Sequence, residues 1–193
     1  MINHKDGDKL SQESLLAKAR ADYENKNFQQ TIETCEILLL SNNESNEVLK
    51  LISKAMLATR KIEEARSYLE KALLVYPNDY ELIKDLGNTY QANGDFKSAK
   101  IYYQKAININ DRYAPALTNL GLIELTLRNN KKALSLLLKA TEADPYLSSA
   151  WSNLASFYFQ YKKLKEAETA VRKAIELEPN LFNIYFLLSM ILI

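Results

Sequence analysis

Ser148–Leu181 reads SSAWSNLASFYFQYKKLKEAETAVRKAIELEPNL, and this stretch decides the fold. Its first half places Trp151, Leu154, Ala155 and Tyr158 at i, i+3, i+4 and i+7, one stripe of an α-helix. Its second half places Ala167, Val171 and Ala174 on another such stripe. Pro179 then stops the helix, because proline lacks an amide proton and biases its predecessor away from helical backbone. The stretch therefore predicts two amphipathic helices joined by a short turn.

The same marks recur along the chain. Pro145 precedes Pro179 by 34 residues, and Pro77 lies at twice that spacing before Pro145. Ala65, Ala99, Ala133 and Ala167 keep the period, as do Ala72, Ala106, Ala140 and Ala174. Gly87 and Gly121 share a further column with the small residues Ala19, Ser53, Ala155 and Ser189. Units open at Gln12, Asn46, Tyr80, Ala114, Ser148 and Phe182. The first stripe returns as Ile83, Leu86, Gly87 and Tyr90, then as Leu117, Leu120, Gly121 and Glu124. The second returns as Ala99, Tyr103 and Ala106, then as Ala133, Leu137 and Ala140. Small residues in both helices let the two backbones approach closely. In the third unit the turn is Asn93-Gly94-Asp95, where glycine suits a left-handed C-cap.

Composition narrows the function. The 193 residues carry 25 basic and 24 acidic side chains, a formal charge of +1. That balance argues against nucleic acid or an anionic membrane as partner. One cysteine excludes an intramolecular disulfide, and one histidine with four glycines leaves little material for a metal cage or a phosphate loop. No cofactor is expected. Residues 1–11 are polar and read as a disordered lead-in, and no apolar signal segment follows them, so a cytoplasmic address is expected. Leu181–Ile193 is apolar but shorter than the roughly 20 residues a bilayer span needs. Its greasiness suggests a chain cut in mid-repeat.

The pattern Trp-x2-Leu-Gly-x2-Tyr, Ala-x3-Phe, Ala, Pro is the tetratricopeptide signature. Trp151, Leu154, Ala155, Tyr158, Ala167, Val171, Ala174 and Pro179 resemble it with conservative departures, and the resemblance covers residues 12–193. Asp111 replaces the expected proline, although Pro115 stands where the first turn of a helix accepts it. The first unit departs further, with Lys18 at an apolar place and Thr31 for alanine, as in a capping repeat. The resemblance implies an all-α, right-handed solenoid of stacked helix-turn-helix units whose inner groove is lined by the first helix of each pair.

Groove-facing residues on that reading are Arg20, Glu24, Glu47, Lys50 and Lys54 in the first two units, and Glu81, Lys84, Asp85, Asn88 and Gln91 in the third. The fourth contributes Thr118, Asn119, Leu122, Leu125 and Thr126, and the fifth Ser149, Ser152, Asn153, Ser156, Phe159 and Gln160. Charge therefore gives way to Asn, Ser and Thr along the groove. Asn119 and Asn153 resemble the asparagine ladder of O-linked N-acetylglucosamine transferases, whose amides bind a peptide backbone. The competing reading is that asparagine before the Leu-Gly pair is simply common in such repeats. Lys84, Asn88 and Asn119 match three of the five places of the carboxylate clamp for chaperone tails, but the two remaining basic places hold Ser149 and Asn153. Without those charges the grip is mostly missing.

No catalytic constellation emerges. Cys35 lies on an apolar stripe and His4 in the lead-in, while Glu63-Glu64 and the Glu166/Glu168 pair read as solvated helix faces. The expectation is a scaffold that holds a peptide segment of another protein. The alternative is the N-terminal recognition arm of a larger glycosyltransferase, sulfotransferase or methyltransferase. Self-association through the last helix is a third possibility.

Overall fold

The computed structural model describes residues 4–41, 45–180 and 182–192, and among these it is all-α with no strand. The helices run α1 (His4–Glu24), α2 (Phe28–Leu40), α3 (Asn46–Ala58), α4 (Ile62–Val75), α5 (Tyr80–Ala92), α6 (Phe96–Ile109), α7 (Ala114–Thr126), α8 (Asn130–Ala143), α9 (Ser148–Gln160), α10 (Leu164–Leu177) and α11 (Phe182–Ile191). From α3 onward the first helix of each pair starts where the 34-residue register opens a unit. α1 instead starts at His4, so residues 4–11 have helical backbone where composition suggested a disordered lead-in. Once nucleated, a helix propagates easily through Lys9, Leu10, Gln12 and Glu13, all good helix formers. Met1–Asn3 lie outside the described residues.

The turns inside the pairs share one geometry. Backbone φ is positive at Lys26 (62°), Arg60 (61°), Gly94 (78°), Arg128 (62°) and Lys162 (59°), again one repeat apart. The following residue donates its N–H five residues back: Asn27 to Asp22 at 2.8 Å, Lys61 to Met56 at 2.8 Å, Asp95 to Tyr90 at 2.9 Å, Asn129 to Glu124 at 2.8 Å and Lys163 to Tyr158 at 2.9 Å. The left-handed residue itself bonds three back, as Lys26 does to Tyr23 at 3.0 Å, which completes a Schellman closure. The carbonyls of Asn27, Lys61, Asp95, Asn129 and Lys163 then accept from Thr31, Ala65, Ala99, Ala133 and Ala167 at 2.9–3.0 Å. One residue closes a helix and opens the next.

The chain divides into two compact units, Met1–Ala99 and Lys100–Ile193. In the first, each helix from α1 to α5 packs on the next, and α3 also packs on α1 and α5. Its core joins Ala19, Ile32, Cys35, Leu38, Val48, Ile52, Ala55, Met56 and Ala65. In the second unit α7 to α11 follow the same rule, with α9 packed on α7 and α11. Ala133, Leu137, Leu154 and Phe157 form one of its clusters, and α9, α10 and α11 close another through Ala155, Val171, Ile184 and Leu187. Burial of each large aliphatic side chain contributes about 1.5–3 kcal/mol. The small column is needed where helices touch: a Cβ on Gly121 would stand 3.1 Å from Leu137 of α8. Trp151 Nε1 donates to the Pro145 carbonyl at 2.9 Å, and one repeat later Tyr185 Oη donates to that of Pro179 at 3.1 Å, so a ring on the first helix pins the linker before it.

Candidate peptide-binding face

In the first unit the contacts of α3 with α1 and α5 set these three first helices side by side, and their outward side chains line an open cavity of about 480 Å³. Its walls are Arg20, Tyr23 and Glu24 from α1, Asn46, Glu47, Lys50, Leu51 and Lys54 from α3, and Glu81 from α5. The five groove residues expected from the first two units, with Glu81 from the third, therefore meet in one place.

An ion-pair lattice ties the helices together there. Arg20 of α1 pairs with Glu47 of α3. Lys50 Nζ lies 2.7 Å from Asp79 Oδ2 and 2.8 Å from Glu81 Oε2. Asn46 Nδ2 donates to Asp79 Oδ2 at 2.6 Å, while Asp79 Oδ1 accepts the N–H groups of Glu81 (3.0 Å) and Leu82 (3.1 Å) and so caps α5. Burial opposes the charge on Lys50, but Asp79 and Glu81 outweigh it and raise its pKa above the usual lysine value. Burial likewise works against ionised Asp79, and Lys50, Asn46 and the capped amide of Leu82 prevail, lowering its pKa. The Arg20 hydrogen bond lowers that of Glu47. Glu24 and Lys54 enter no ion pair among the described residues, which leaves one free charge of each sign in the cavity wall.

On α5, Lys84 pairs with Asp85 Oδ1 and Asn88 Nδ2 donates to the same oxygen at 3.1 Å. Two of the three clamp-like residues are thus gathered on a carboxylate that is itself buried, not open to the groove. Thr118 is buried too, its hydroxyl donating to the Ala114 carbonyl at 2.8 Å.

In the second unit Asn119, Leu122 and Thr126 lie along α7, and Asn153, Ser156 and Phe159 along α9, two helices in contact. Asn119 and Asn153 stand at equivalent places one repeat apart, both half-buried, as is Leu122. The hydroxyls of Thr126 and Ser156 are exposed and donate to the carbonyls of Leu122 and Ser152 at 3.0 Å. Phe159 packs on the α9–α11 cluster.

Sequence reasoning missed two features. The link from Lys50 to Asp79 joins residues almost a full period apart, and its only written signal is aspartate at a helix N-cap position. Glu124 occupies the column of Tyr90 and Tyr158 and is completely buried. It forms ion pairs with Lys100 at 2.8 Å and Lys132 at 2.9 Å and accepts a hydrogen bond from Asn129 Nδ2 at 2.7 Å. Burial opposes its ionisation, but these three donors prevail and hold its pKa at about 2. Burial, reinforced by Glu36, pushes the Cys35 thiol up to about 12, far from a thiolate nucleophile. No helix among the described residues is long and apolar enough to cross a membrane.

Comparison with known proteins agrees with this architecture. Tetratricopeptide repeat models match residues 56–120, 114–146 and 148–181. The chain belongs to the tetratricopeptide repeat family. Among solved structures, this TPR chain is similar to a thermophilic TPR protein of Thermus thermophilus, with a TM-score of 0.81, 20% identity and coverage of 94% of this chain and 98% of that one. It is also similar to the MamA protein (TM-score 0.62, 21% identity, 87% and 92% covered). A chain of the Cut9–Hcn1 hetero-tetramer of APC/C gives a TM-score of 0.80 at 17% identity, with 94% of this chain and 36% of that one covered. No curated protein matches the sequence. The TPR fold is consistent with a protein-interaction scaffold.

Proposed function

We propose that this TPR protein is a scaffold that holds a peptide segment of a partner protein against the first helices of its repeats. The observation that carries the reading is the cavity walled by Arg20, Glu24, Glu47, Lys50, Lys54 and Glu81, in which most charges are locked in pairs while Glu24 and Lys54 enter no ion pair among the described residues. A rigid polar wall with a few unspent charges suits orientation of an extended peptide, because the wall needs no reordering on binding. Support for a second stretch of the same site comes from Asn119 and Asn153 on adjoining helices, whose amides both donate and accept.

The test is selection from a peptide library displayed against the whole chain. Peptides selected by the native chain are expected to lose binding at least about tenfold to the Glu24→Lys/Lys54→Glu variant, as rearranged charge at an interface core does. An Asn119→Ala/Asn153→Ala variant is expected to weaken the same peptides. Ligands indifferent to both variants, with helical content and melting unchanged, would refute the site.

A further inference from the structure

The edge of the second unit that carries the within-pair turns has a different character. The turn between α7 and α8 with the start of α8 holds Arg128, Lys131 and Lys132, and the turn between α9 and α10 with the start of α10 holds Lys162, Lys163 and Lys165. A cavity of about 620 Å³ opens among Lys100, Arg128, Asn129, Asn130, Lys131 and Lys132, with Glu124 at its base. A second, of about 460 Å³, is lined by Leu125, Thr126, Arg128, Asn130, Gln160 and Tyr161. Arg128 and Asn130 belong to both, so the two form one cleft running from the first turn to the second.

Most of the positive charge there is unspent. Lys100 and Lys132 are committed to Glu124, and Lys163 lies 5.8 Å from the ring centre of Tyr158. Arg128, Lys131, Lys162 and Lys165 enter no ion pair among the described residues, and neither does Glu166, the exposed acid nearest to them in sequence. The imbalance extends over the unit: Lys100–Ile193 holds 12 basic against 8 acidic residues, whereas Met1–Ala99 holds 13 against 16.

We infer that this cleft, which adjoins the first-helix face at Leu125, Thr126 and Gln160 and extends onto the turn edge, is a second docking surface whose occupant is an acidic segment of a partner protein with carboxylates set beside apolar side chains. Arg128 and Lys131 meet the carboxylates, and Leu125 and Tyr161 provide the apolar contact between them. A nucleic acid fits less well. Four cations without an ion pair among the described residues neutralise few phosphates, and the formal charge of the whole chain is only +1.

The test is fluorescence anisotropy on the whole chain. The probes are a labelled peptide of four Glu-Glu-Leu repeats, its Gln-Gln-Leu counterpart and a single-stranded DNA of similar length. The Glu-Glu-Leu peptide is expected to bind more tightly than both others and to weaken as salt rises. Arg128→Glu/Lys131→Glu/Lys165→Glu is expected to weaken it at least about tenfold, and an equal charge swap at Lys18, Lys71 and Lys105 much less. Should the triple variant lose helical signal, the milder Lys131→Gln/Lys165→Gln decides, with an expected loss of about threefold. Equal affinity for the Gln-Gln-Leu peptide, tighter binding of the DNA, or equal losses from the two charge swaps would each overturn the proposal.

Discussion

Glu124 stands where neighbouring repeats place tyrosine, and its side chain is wholly removed from solvent. Its carboxylate is stable only because Lys100 and Lys132 reach it from partly exposed positions. Loss of the charge in Glu124→Gln is expected to cost about 2 kcal/mol in urea unfolding, because a buried polar group is left poorly matched. Glu124→Tyr restores the residue of the column and is expected to lie within about 1 kcal/mol of the native chain. The pH dependence has a definite sign. The folded pKa of about 2 lies below the ordinary 4.5, so the stabilisation is complete above pH 4.5 and is lost as pH falls toward 2. After allowance for solvent around the lysines, acid unfolding curves of the native chain should lose about 2 kcal/mol more across that window than those of Glu124→Tyr.

At the scale of the element, the left-handed turn column distinguishes these helix pairs from their own sequence signature. Gly94 announces the turn, whereas Lys26, Arg60, Arg128 and Lys162 hold the same backbone with a Cβ in the way. Arg60→Gly and Lys26→Gly are therefore expected to raise thermal stability, by about 0.5–1 kcal/mol each, and Gly94→Ala to lower it by about 1 kcal/mol. Asp79→Ala removes the cap of α5 together with an anchor of Lys50, for a loss of about 1–2 kcal/mol in chemical unfolding. The contrast shows what sequence can carry. Helix starts from Asn46 to Phe182 were legible because alanine, glycine and proline recur for local steric reasons. The basic members of the turn column were not, since closure of the hydrogen bonds around them overrides an unfavourable preference that no residue type advertises. Nor could a stripe of side chains tell Asp85 and Thr118, which are buried, from Asn88 and Asn119, which are half-buried.

For the whole molecule, repeats that touch mainly their neighbours transmit damage over short distances. Leu137→Ala is expected to cost about 2–5 kcal/mol, because Leu137 of α8 is fully buried against α7 and α9. Amide hydrogen exchange should show the largest loss of protection in α7, α8 and α9, with α1 to α4 little changed. Uniform loss along the chain would mean that the stack opens as one body.

Cys35 gives that question a direct readout. It is the single cysteine of the chain, sealed in the core of the first unit with its thiol held protonated. An alkylating reagent can reach it only when α2 lifts from its neighbours. The rate of labelling under native conditions is then a clock for spontaneous opening of that end of the protein, readable by mass spectrometry without altering a residue.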